Sequence, residues 1–406
     1  MKESLAFVPG DDTQIVKAIE NGTCNRCGNK NLVRNRFERL RCPICDLSED
    51  DWLYLNERKV SHVEVRLRKD LILTERQKQA SIFLSECVHN GESGSLVAVC
   101  GAGKTEMTYE AIKTAVEEDK KICFAIPRRE IVRELAKRMR RDFEGVNIGE
   151  MHQNAKTDEN CQIVVATIHQ LINYRDEFDV LILDEVDAYP FCHNDYLSGL
   201  VKKAAKPNAV FISMSATMGI NGNPSVKKQV VPERYHGHDL DLPRFIKTSD
   251  FENMLEKDLL PQPVWEKITG WLKAGKRIFL FVPTIKKGEK VLSILQKAKI
   301  ESGFVHAAST TRSKVLSDFY SGKINILVTT TVMERGVTYD DVQVGVVLAD
   351  HPVFAANTLI QIAGRVGRYK DHPSGEVCFF SETLTREMID CRKEIISMNR
   401  KKRQTG

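Results

Sequence analysis

A short glycine-containing loop constrains the fold of this 406-residue chain more than any other feature. The segment Ala98-Val-Cys-Gly-Ala-Gly-Lys-Thr105 continues an apolar run of strand length, Leu96–Val99. Backbone N–H groups can fold around phosphate oxygens only if no side chain crowds them, which explains Gly101 and Gly103. The segment therefore predicts a phosphate-binding loop between a strand and a helix, with contacts from Gly101, Ala102, Gly103, Lys104 and Thr105.

Carboxylates follow a second apolar run. The run Asp179–Leu183 has the length of a buried strand, and Asp184-Glu-Val-Asp187 comes directly after it. Open α/β sheets bind ligands at the carboxyl ends of their strands. With a phosphate loop upstream, we predict that Asp184 holds Mg²⁺ and that Glu185 polarises the water attacking ATP. Taken alone, the same tetrapeptide would more often be a solvated loop.

A third segment, Gln361-Ile-Ala-Gly-Arg-Val-Gly-Arg368, supplies arginines. An arginine that reaches the transferred phosphoryl group can raise the rate by about 10³ to 10⁵. On a helix, Arg365 and Arg368 would share a face. Ordinary exposed arginines would fit any basic helix, but they leave Gln361 and the two glycines unexplained. We therefore predict catalytic roles for Arg365 and Arg368.

Four cysteines near the N-terminus form two C-x-x-C pairs, Cys24/Cys27 and Cys42/Cys45, separated by fourteen residues. Two such pairs make a closed tetrahedral Zn²⁺ site of structural type. Disulfides are disfavoured in the cytosol, and a thioredoxin-like redox role would need one pair beside a βαβ unit. We predict a zinc ribbon held by Cys24, Cys27, Cys42 and Cys45.

The ribbon is rich in basic residues. On a small zinc module these side chains most often contact the phosphate backbone, giving affinity without sequence preference. Phe37 is a candidate for packing or base stacking. The alternative is a solvated charged face on a domain too small to bury much. We predict nucleic-acid contacts from Arg34, Arg36 and Arg39.

Composition agrees with a globular protein of two or three domains. The net charge is +5 and charged residues make up 28% of the chain, so the total charge alone predicts no polyanion partner. No apolar run reaches the length of a membrane span, and the first residues lack the apolar core of a signal peptide. We expect a cytosolic protein unless a partner recruits it.

Strand-like and helical runs alternate in two blocks, which predicts an α/β fold with two parallel-sheet lobes. A stretch rich in glycine and proline separates the blocks and predicts a hinge, and the tail Arg400–Arg403 is expected to fray. The predicted domains are an N-terminal segment (1–22), the zinc ribbon (23–47), a connector (48–70), an ATP-binding lobe 1 (71–218), an interlobe linker (219–262), lobe 2 (263–398) and a basic tail (399–406).

Shorter polar segments at predicted element ends complete the candidate site. Gln77, upstream of the phosphate loop, has an amide that can donate to and accept from adenine. Pro127-Arg-Arg-Glu130 opens a helix, where arginines and backbone N–H groups can grip phosphate. Each segment taken alone would be read as a turn or cap. Predicted nucleic-acid contacts are Arg128, Arg129, Thr167, His306 and Thr330, and predicted coupling residues are Ser215, Ala216, Thr217 and Gln361.

Together these motifs resemble superfamily 2 helicases, which implies two RecA-like lobes. The set comprises Gln77, A-x-x-G-x-G-K-T, P-R-R-E, D-E-V-D, S-A-T, T-T-x-M-E-R-G and Q-x-x-G-R-x-G-R. The chain departs from DEAD-box RNA helicases at Val186, which replaces alanine, and at Ile362, where arginine is common.

The ribbon placed before lobe 1 resembles the ComFA family of DNA-uptake ATPases. Primosomal helicases also carry zinc-binding cysteines, but eight of them, in the second half of the chain. The ComFA resemblance implies an ATPase that helps to pull single-stranded DNA through a membrane channel. It also implies the channel and co-encoded competence proteins as partners, and a cytoplasmic location, peripheral at the inner face of the cell membrane.

We therefore expect an ATP-dependent single-stranded DNA translocase that drives import of transforming DNA, with ATP, Mg²⁺ and Zn²⁺ as cofactors. One alternative is a repair or replication-restart helicase of superfamily 2. Another is a zinc-dependent DNA-binding scaffold with a vestigial ATPase, against which the intact Lys104, Glu185 and Arg368 argue. The sequence leaves open whether the chain forms a homo-oligomer, which way it moves along DNA and whether it unwinds duplexes.

Overall fold

A computed structural model describes residues 13–56, 62–68, 71–153, 155, 161–187, 194–217, 226–331 and 339–404. The chain divides into two compact units. The first comprises Met1–Leu96, Thr105–Met214 and Gly222–Gln229, and the second comprises Val97–Lys104, Ser215–Asn221 and Val230–Gly406. The end of the T-T-x-M-E-R-G motif, with Arg335 and Gly336, lies outside the described residues.

Short strands make up the N-terminal module. Their bounds are β1 Thr13–Lys17, β2 Ile19–Glu20, β3 Thr23–Cys24, β4 Val33–Arg34, β5 Leu40–Cys42, β6 Leu47–Ser48, β7 Trp52–Asn56 and β8 Arg66–Leu67. Strands β4, β5 and β6 form an antiparallel sheet, while β1 pairs with β7 and β2 with β3. These strands are too short to bury a core of their own, so the module needs another source of stability.

A seven-stranded sheet follows in the first block. The strands of this block, of which all but β11 belong to the sheet, are β9 Gly94–Ala98, β10 Ile122–Ile126, β11 Phe143–Glu144, β12 Ile148–Met151, β13 Ile163–Thr167, β14 Phe178–Leu183, β15 Ala205–Ser215 and β16 Lys227–Val231. The sheet order is β12-β13-β10-β14-β15-β9-β16, and β11 pairs with β8 instead. The central pairs, from β12 to β15, are parallel. The predicted alternation of strands and helices is confirmed.

The helices of this block begin at recognisable caps. Thr74 and Gln77 form a capping box at the start of α1, and the Asn194 side chain accepts a hydrogen bond from the Leu197 N–H at the start of α5. Such bonds satisfy N–H groups that lack a partner within the helix. The helices are α1 Glu75–His89, α2 Lys104–Met107, α3 Tyr109–Glu117, α4 Arg129–Asp142 and α5 Asp195–Ala204, with a 3₁₀ helix at Ile168–Asn173.

The second block forms a six-stranded parallel sheet in the order β17-β22-β21-β18-β20-β19. Its strands are β17 Arg244–Lys247, β18 Arg277–Phe281, β19 Ser302–Val305, β20 Ile326–Thr329, β21 Val342–Val347 and β22 Val377–Ser381. Its helices are α6 Phe251–Glu256, α7 Gln262–Lys273, α8 Ile285–Lys297, α9 Arg312–Ser321, α10 Ala356–Ala363 and α11 Arg386–Gln404.

Both faces of this second sheet are buried. Successive residues of β18 alternate between two hydrophobic clusters, with Phe279 and Phe281 in one and Ile278 and Leu280 in the other. A strand covered on both faces reads as a continuous apolar run, which is why β18 was recognisable in the sequence. The prediction of two parallel-sheet lobes is confirmed.

The C-terminal tail corrects an expectation. Residues Arg400–Arg403 continue α11 rather than fray, and both Lys402 and Arg403 pair with Asp239. The Asn399 side chain also exchanges two hydrogen bonds of 2.9 Å with the Leu240 backbone. These partners lie about 160 positions away in the sequence, so no local pattern could indicate them. Part of the predicted linker 219–262 is likewise ordered, since it holds β16, β17 and α6.

Within the part of the chain that the structure describes, no helix combines the length and hydrophobicity that crossing a bilayer requires.

Candidate functional site: a nucleotide-binding loop, an arginine turn and a four-cysteine cluster

The predicted phosphate loop has the backbone of such a loop. It connects the end of β9 to the start of α2, and Gly101 and Gly103 have φ angles of +83° and +76°. These left-handed conformations are strained for any residue with a Cβ, so glycine is required at both positions. Lys104 begins α2 and its Nζ donates to the Ala98 carbonyl oxygen at 2.6 Å. The Lys104 side chain is therefore folded back over its own loop.

The acidic segment leaves the end of β14. Its backbone is held by two neighbouring strands: the Asp184 N–H donates to Ala125 O at 3.0 Å, and the Val186 N–H donates to Met214 O at 3.2 Å. Glu185 between them has a φ of +57°, and its N–H donates to Asp184 Oδ1 at 2.8 Å. Left-handed backbone at a non-glycine residue is uncommon and clusters at functional sites. The Asp184 carboxylate thus fixes the turn that aims Glu185.

Arg365 and Arg368 lie in a turn. Helix α10 ends at Ala363, so the prediction that both arginines share a helix face is wrong. Gly364 caps the helix with its N–H, which donates to the Ile360 carbonyl oxygen, and its own carbonyl oxygen accepts a hydrogen bond from Arg368 Nε at 2.7 Å. Arg365 is buried and Arg368 is half-buried. Gly364 therefore ends the helix before Arg365, and Gly367, with its left-handed backbone, bends the chain before Arg368.

The geometry of the arginine turn also explains why positions 364 and 367 are glycines. A Cβ on Gly364 would lie 2.5 Å from the Cβ of Cys100 in the phosphate loop. Gly367 has a φ of +64°, and a Cβ there would lie 2.4 Å from the Pro373 carbonyl oxygen. Real Cβ atoms do not approach other atoms so closely. Within the second unit, the arginine turn is therefore packed directly against residue 100 of the loop.

Sequence reasoning missed Arg234. This residue is 1% exposed; its Nε donates to the Cys100 carbonyl oxygen at 3.2 Å and its Nη1 to the Gly367 carbonyl oxygen. All three residues belong to the second unit. Burial and, secondly, the charge of Arg368 lower the pKa of Arg234 to about 10, so the guanidinium remains charged at neutral pH. A lone arginine in a polar stretch carries no signal that could have revealed this role.

Gln77 lies in the first turn of α1 with its side chain buried. Its Oε1 accepts a hydrogen bond from the Thr74 N–H at 2.8 Å. The capping box therefore engages the amide oxygen, and adenine recognition by Gln77 stays a prediction that would rely on the amide NH₂ group.

The predicted nucleic-acid contacts lie at the ends of strands and the start of a helix. In the first unit, Arg128 caps α4, Arg129 begins that helix and Thr167 ends β13. In the second unit, His306 follows β19 and Thr330 follows β20. His306 Nδ1 is buried without a hydrogen-bond partner among the described residues. These roles stay predictions.

The S-A-T segment and Gln361 are buried. Ser215 ends β15, and its Oγ donates to the Thr217 carbonyl oxygen at 2.9 Å, which closes a tight turn around Ala216. Gln361 lies in α10, three residues before Gly364. Their predicted part in coupling ATP to the hinge stays a prediction.

The four ribbon cysteines converge. Their sulfur atoms all lie within 4.8 Å of one another, and Cys27 Sγ lies 3.5 Å from Cys42 Sγ. Tetrahedral zinc with Zn–S bonds of about 2.3 Å places sulfurs about 3.8 Å apart, so the cluster fits a structural zinc site. The residue after each C-x-x-C pair, Gly28 or Asp46, has a φ of +75° or +59°. The two knuckles therefore share one backbone shape.

Helix α5 of the first unit lies beside this cluster. Lys203 Nζ donates to the Arg26 carbonyl oxygen in the first knuckle and to Ile172 O at 3.0 Å. Burial lowers the pKa of Lys203 to about 8, while Cys27, Cys45 and Cys24 act in the opposite direction. Burial raises the pKa of Tyr196 to about 12, and the same cluster contributes to that rise. The ribbon is thus docked on the lobe, which its sequence did not indicate.

The basic face of the ribbon is partly neutralised. Arg39 pairs with Asp50 and Arg41 with Asp46. At the turn between β4 and β5, the Arg36 guanidinium carbon lies 4.8 Å from the centre of the Phe37 ring, which is 66% exposed. Arg36 and Phe37 therefore form the exposed basic and aromatic tip of the ribbon.

Two protein-family models match the chain. The model described as "Type III restriction enzyme, res subunit" covers residues 70–220, and "Helicase conserved C-terminal domain" covers residues 262–370. Competence protein ComFA of Bacillus subtilis (strain 168) is 34% identical over 397 residues, spanning 93% of this chain and 85% of the relative. The chain belongs to the ComFA family. ComFA of Streptococcus pneumoniae (strain ATCC BAA-255 / R6) is 36% identical over 335 residues, covering 81% of this chain and 77% of that protein.

The fold agrees with this assignment to ComFA. The solved structure of S. cerevisiae Dbp5 bound to RNA and ADP BeF3 superposes with a TM-score of 0.57 at 19% identity, covering 80% of this chain and 88% of Dbp5. At that identity the likeness shows the fold alone. The predicted RecA-like lobes and the ComFA resemblance are confirmed, and this ComFA family member is a competence-related, helicase-like ATPase of superfamily 2.

Proposed function

We propose that this chain is an ATP-driven motor that moves along single-stranded DNA and helps to import transforming DNA. The main support for this proposal is the similarity to B. subtilis ComFA. This similarity spans 93% of the chain, so it extends over both sheets and into the four-cysteine module. The competence membrane channel and co-encoded competence proteins are the proposed partners, and the inner face of the membrane is the proposed location.

The chemistry follows from the strand-end motifs. Lys104, released from the Ala98 carbonyl, would bind the β- and γ-phosphates, with the Gly101 and Gly103 backbone around them. Bound Mg²⁺, held by Thr105 and Asp184, would neutralise charge on the transferred phosphoryl group. Glu185 would orient and polarise the attacking water. Arg368, aided by Arg365, would stabilise the charge of the transition state.

Movement would come from changes between the two lobes as ATP is bound and hydrolysed. The strand-end residues Arg128, Arg129, Thr167, His306 and Thr330 would grip the DNA. Ser215, Ala216, Thr217 and Gln361 would transmit the state of the nucleotide to these contacts.

Displacement of streptavidin from biotinylated single-stranded DNA tests the motor directly. We expect ATP-dependent displacement from one end of the strand, with little unwinding of a tailed duplex. If streptavidin left both ends of the strand at the same rate, and ATP did not accelerate its release, the proposal would be contradicted. Efficient duplex unwinding would favour the repair or replication-restart alternative, and absence of ATP hydrolysis would favour the scaffold.

We predict about one zinc ion per chain. In zinc-finger peptides, structural zinc binds with about 10–16 kcal/mol, which is effectively the folding energy of such a small module. Cys24→Ala should therefore release the metal and unfold residues 23–47 locally, while both lobes stay folded. Metal analysis and hydrogen exchange check this, with Cys87→Ala, outside the cluster, as the control. Wild-type zinc content in Cys24→Ala would contradict the assignment.

Replacing Arg34, Arg36 and Arg39 together should weaken single-stranded DNA binding for every sequence. Each lost phosphate contact should flatten the slope of log affinity against log salt by about 0.7. Because Arg39 is paired with Asp50, it should contribute less than Arg36. An unchanged slope, with zinc content intact, would assign this face to a protein partner instead.

A further inference from the structure

Lys203 ties three segments of the first unit together. Its Nζ donates to the Arg26 carbonyl oxygen, inside the first C-x-x-C knuckle, and to the Ile172 carbonyl oxygen, in the 3₁₀ helix after β13. Lys203 itself lies near the end of α5. One ammonium group therefore joins the ribbon, the helix that follows the D-E-V-D segment and the 3₁₀ helix Ile168–Asn173.

The Lys203 ammonium can compensate the negative charge of the loaded metal site. A zinc ion bound by four thiolates carries a net charge of about −2, and a partly buried dianion is costly unless a cation lies beside it. The hydrogen bond from Lys203 Nζ to the carbonyl oxygen of Arg26, which lies between Cys24 and Cys27 in the chain, places the ammonium beside the first knuckle. Tyr196 lies seven residues earlier, on the same face of α5, and its neutral phenol adds no opposing charge there.

We propose that Lys203 is a positioning residue of the metal site, which offsets the charge of the loaded cysteine cluster and anchors its first knuckle to α5. The Arg26 carbonyl is fixed from outside the ribbon, so the knuckle holds its shape around the metal. Zinc binding in turn stabilises α5 and the 3₁₀ helix. The inference depends on zinc binding but not on movement along DNA.

Rates of zinc transfer to the chelator 4-(2-pyridylazo)resorcinol test the role. Loss of an outer-shell partner typically costs about 10- to 100-fold in metal affinity. We expect this loss to appear in the release rate, so Lys203→Met should release zinc about 10- to 100-fold faster than the wild type. Lys203→Arg keeps a cation and hydrogen-bond donors, and should release zinc within a few-fold of the wild-type rate. Lys202→Met, the exposed neighbour on the same helix, is the matched control and should behave as the wild type.

Equal release rates for Lys203→Met and Lys202→Met would overturn the proposal. A wild-type protein purified without zinc, and unable to take it up, would instead overturn the zinc assignment. A second measurement needs no variant: removing zinc from the wild type should speed amide exchange in α5 and Ile168–Asn173, but not in α8. Unchanged exchange in α5 would show that the docking does not depend on the metal.

Discussion

Lys104→Ala and Glu185→Gln should both abolish ATP turnover, but by different routes. Without the Lys104 ammonium the phosphates lose their principal charge partner, so ATP binding itself should weaken. Glu185→Gln keeps the shape of the turn held by Asp184 and removes only the base, so ATP should still bind while kcat falls by about 10² to 10⁴. Nucleotide binding and steady-state hydrolysis, measured with DNA present, separate the two defects.

Glu117→Gln provides the control for the carboxylate. Glu117 is exposed on α3 and pairs with Lys113, a contact that contributes little. Its hydrolysis rate should match the wild type. If Glu185→Gln also hydrolysed ATP at the wild-type rate, another group would have to polarise the water.

Arg368→Ala should bind nucleotide almost normally and lose hydrolysis by a factor on the order of 10³. The structure places Arg368 beside Arg234 and the turn at Gly364, which packs against Cys100 of the phosphate loop. We expect the positive charge of Arg368 to stabilise the transition state more than it stabilises bound ATP, because negative charge spreads over the transferred phosphoryl group during the reaction. Separate determination of KM and kcat for ATP checks this expectation.

Arg386→Ala is the control, since Arg386 is exposed on α11 and pairs with Asp390. It should leave both constants unchanged. Equal losses of ATP affinity and rate in Arg368→Ala would mark Arg368 as a binding residue rather than a transition-state residue. Arg365→Ala would show a similar loss if the two arginines share the task.

Much of the fold was predictable because the buried strands carry continuous apolar runs. The segments at β10, β14 and β18 could be recognised from hydrophobicity and length alone. The glycines of the phosphate loop were predictable for a related reason, since their positive φ angles exclude other residues. Both signals are local, so they can be read from a single sequence.

Other features depend on partners far away in the chain. Lys203 meets Arg26 across 177 positions, and Arg234 meets Gly367 across 133. The edge strand β17 and the last turns of α11 carry charged residues that read as linker and tail. Tertiary contacts decide the conformation of such segments, and local propensity does not predict those contacts. The helix expected for Arg365 and Arg368 failed because Gly364 ends it.

ATP hydrolysis measured against rising concentrations of single-stranded DNA, duplex DNA and RNA tests the central claim most directly. Lys104→Ala provides the blank for each titration. We expect single-stranded DNA to raise the rate well above that of the protein alone, and more than duplex DNA or RNA of equal length does. A rate that is the same with and without single-stranded DNA would contradict it.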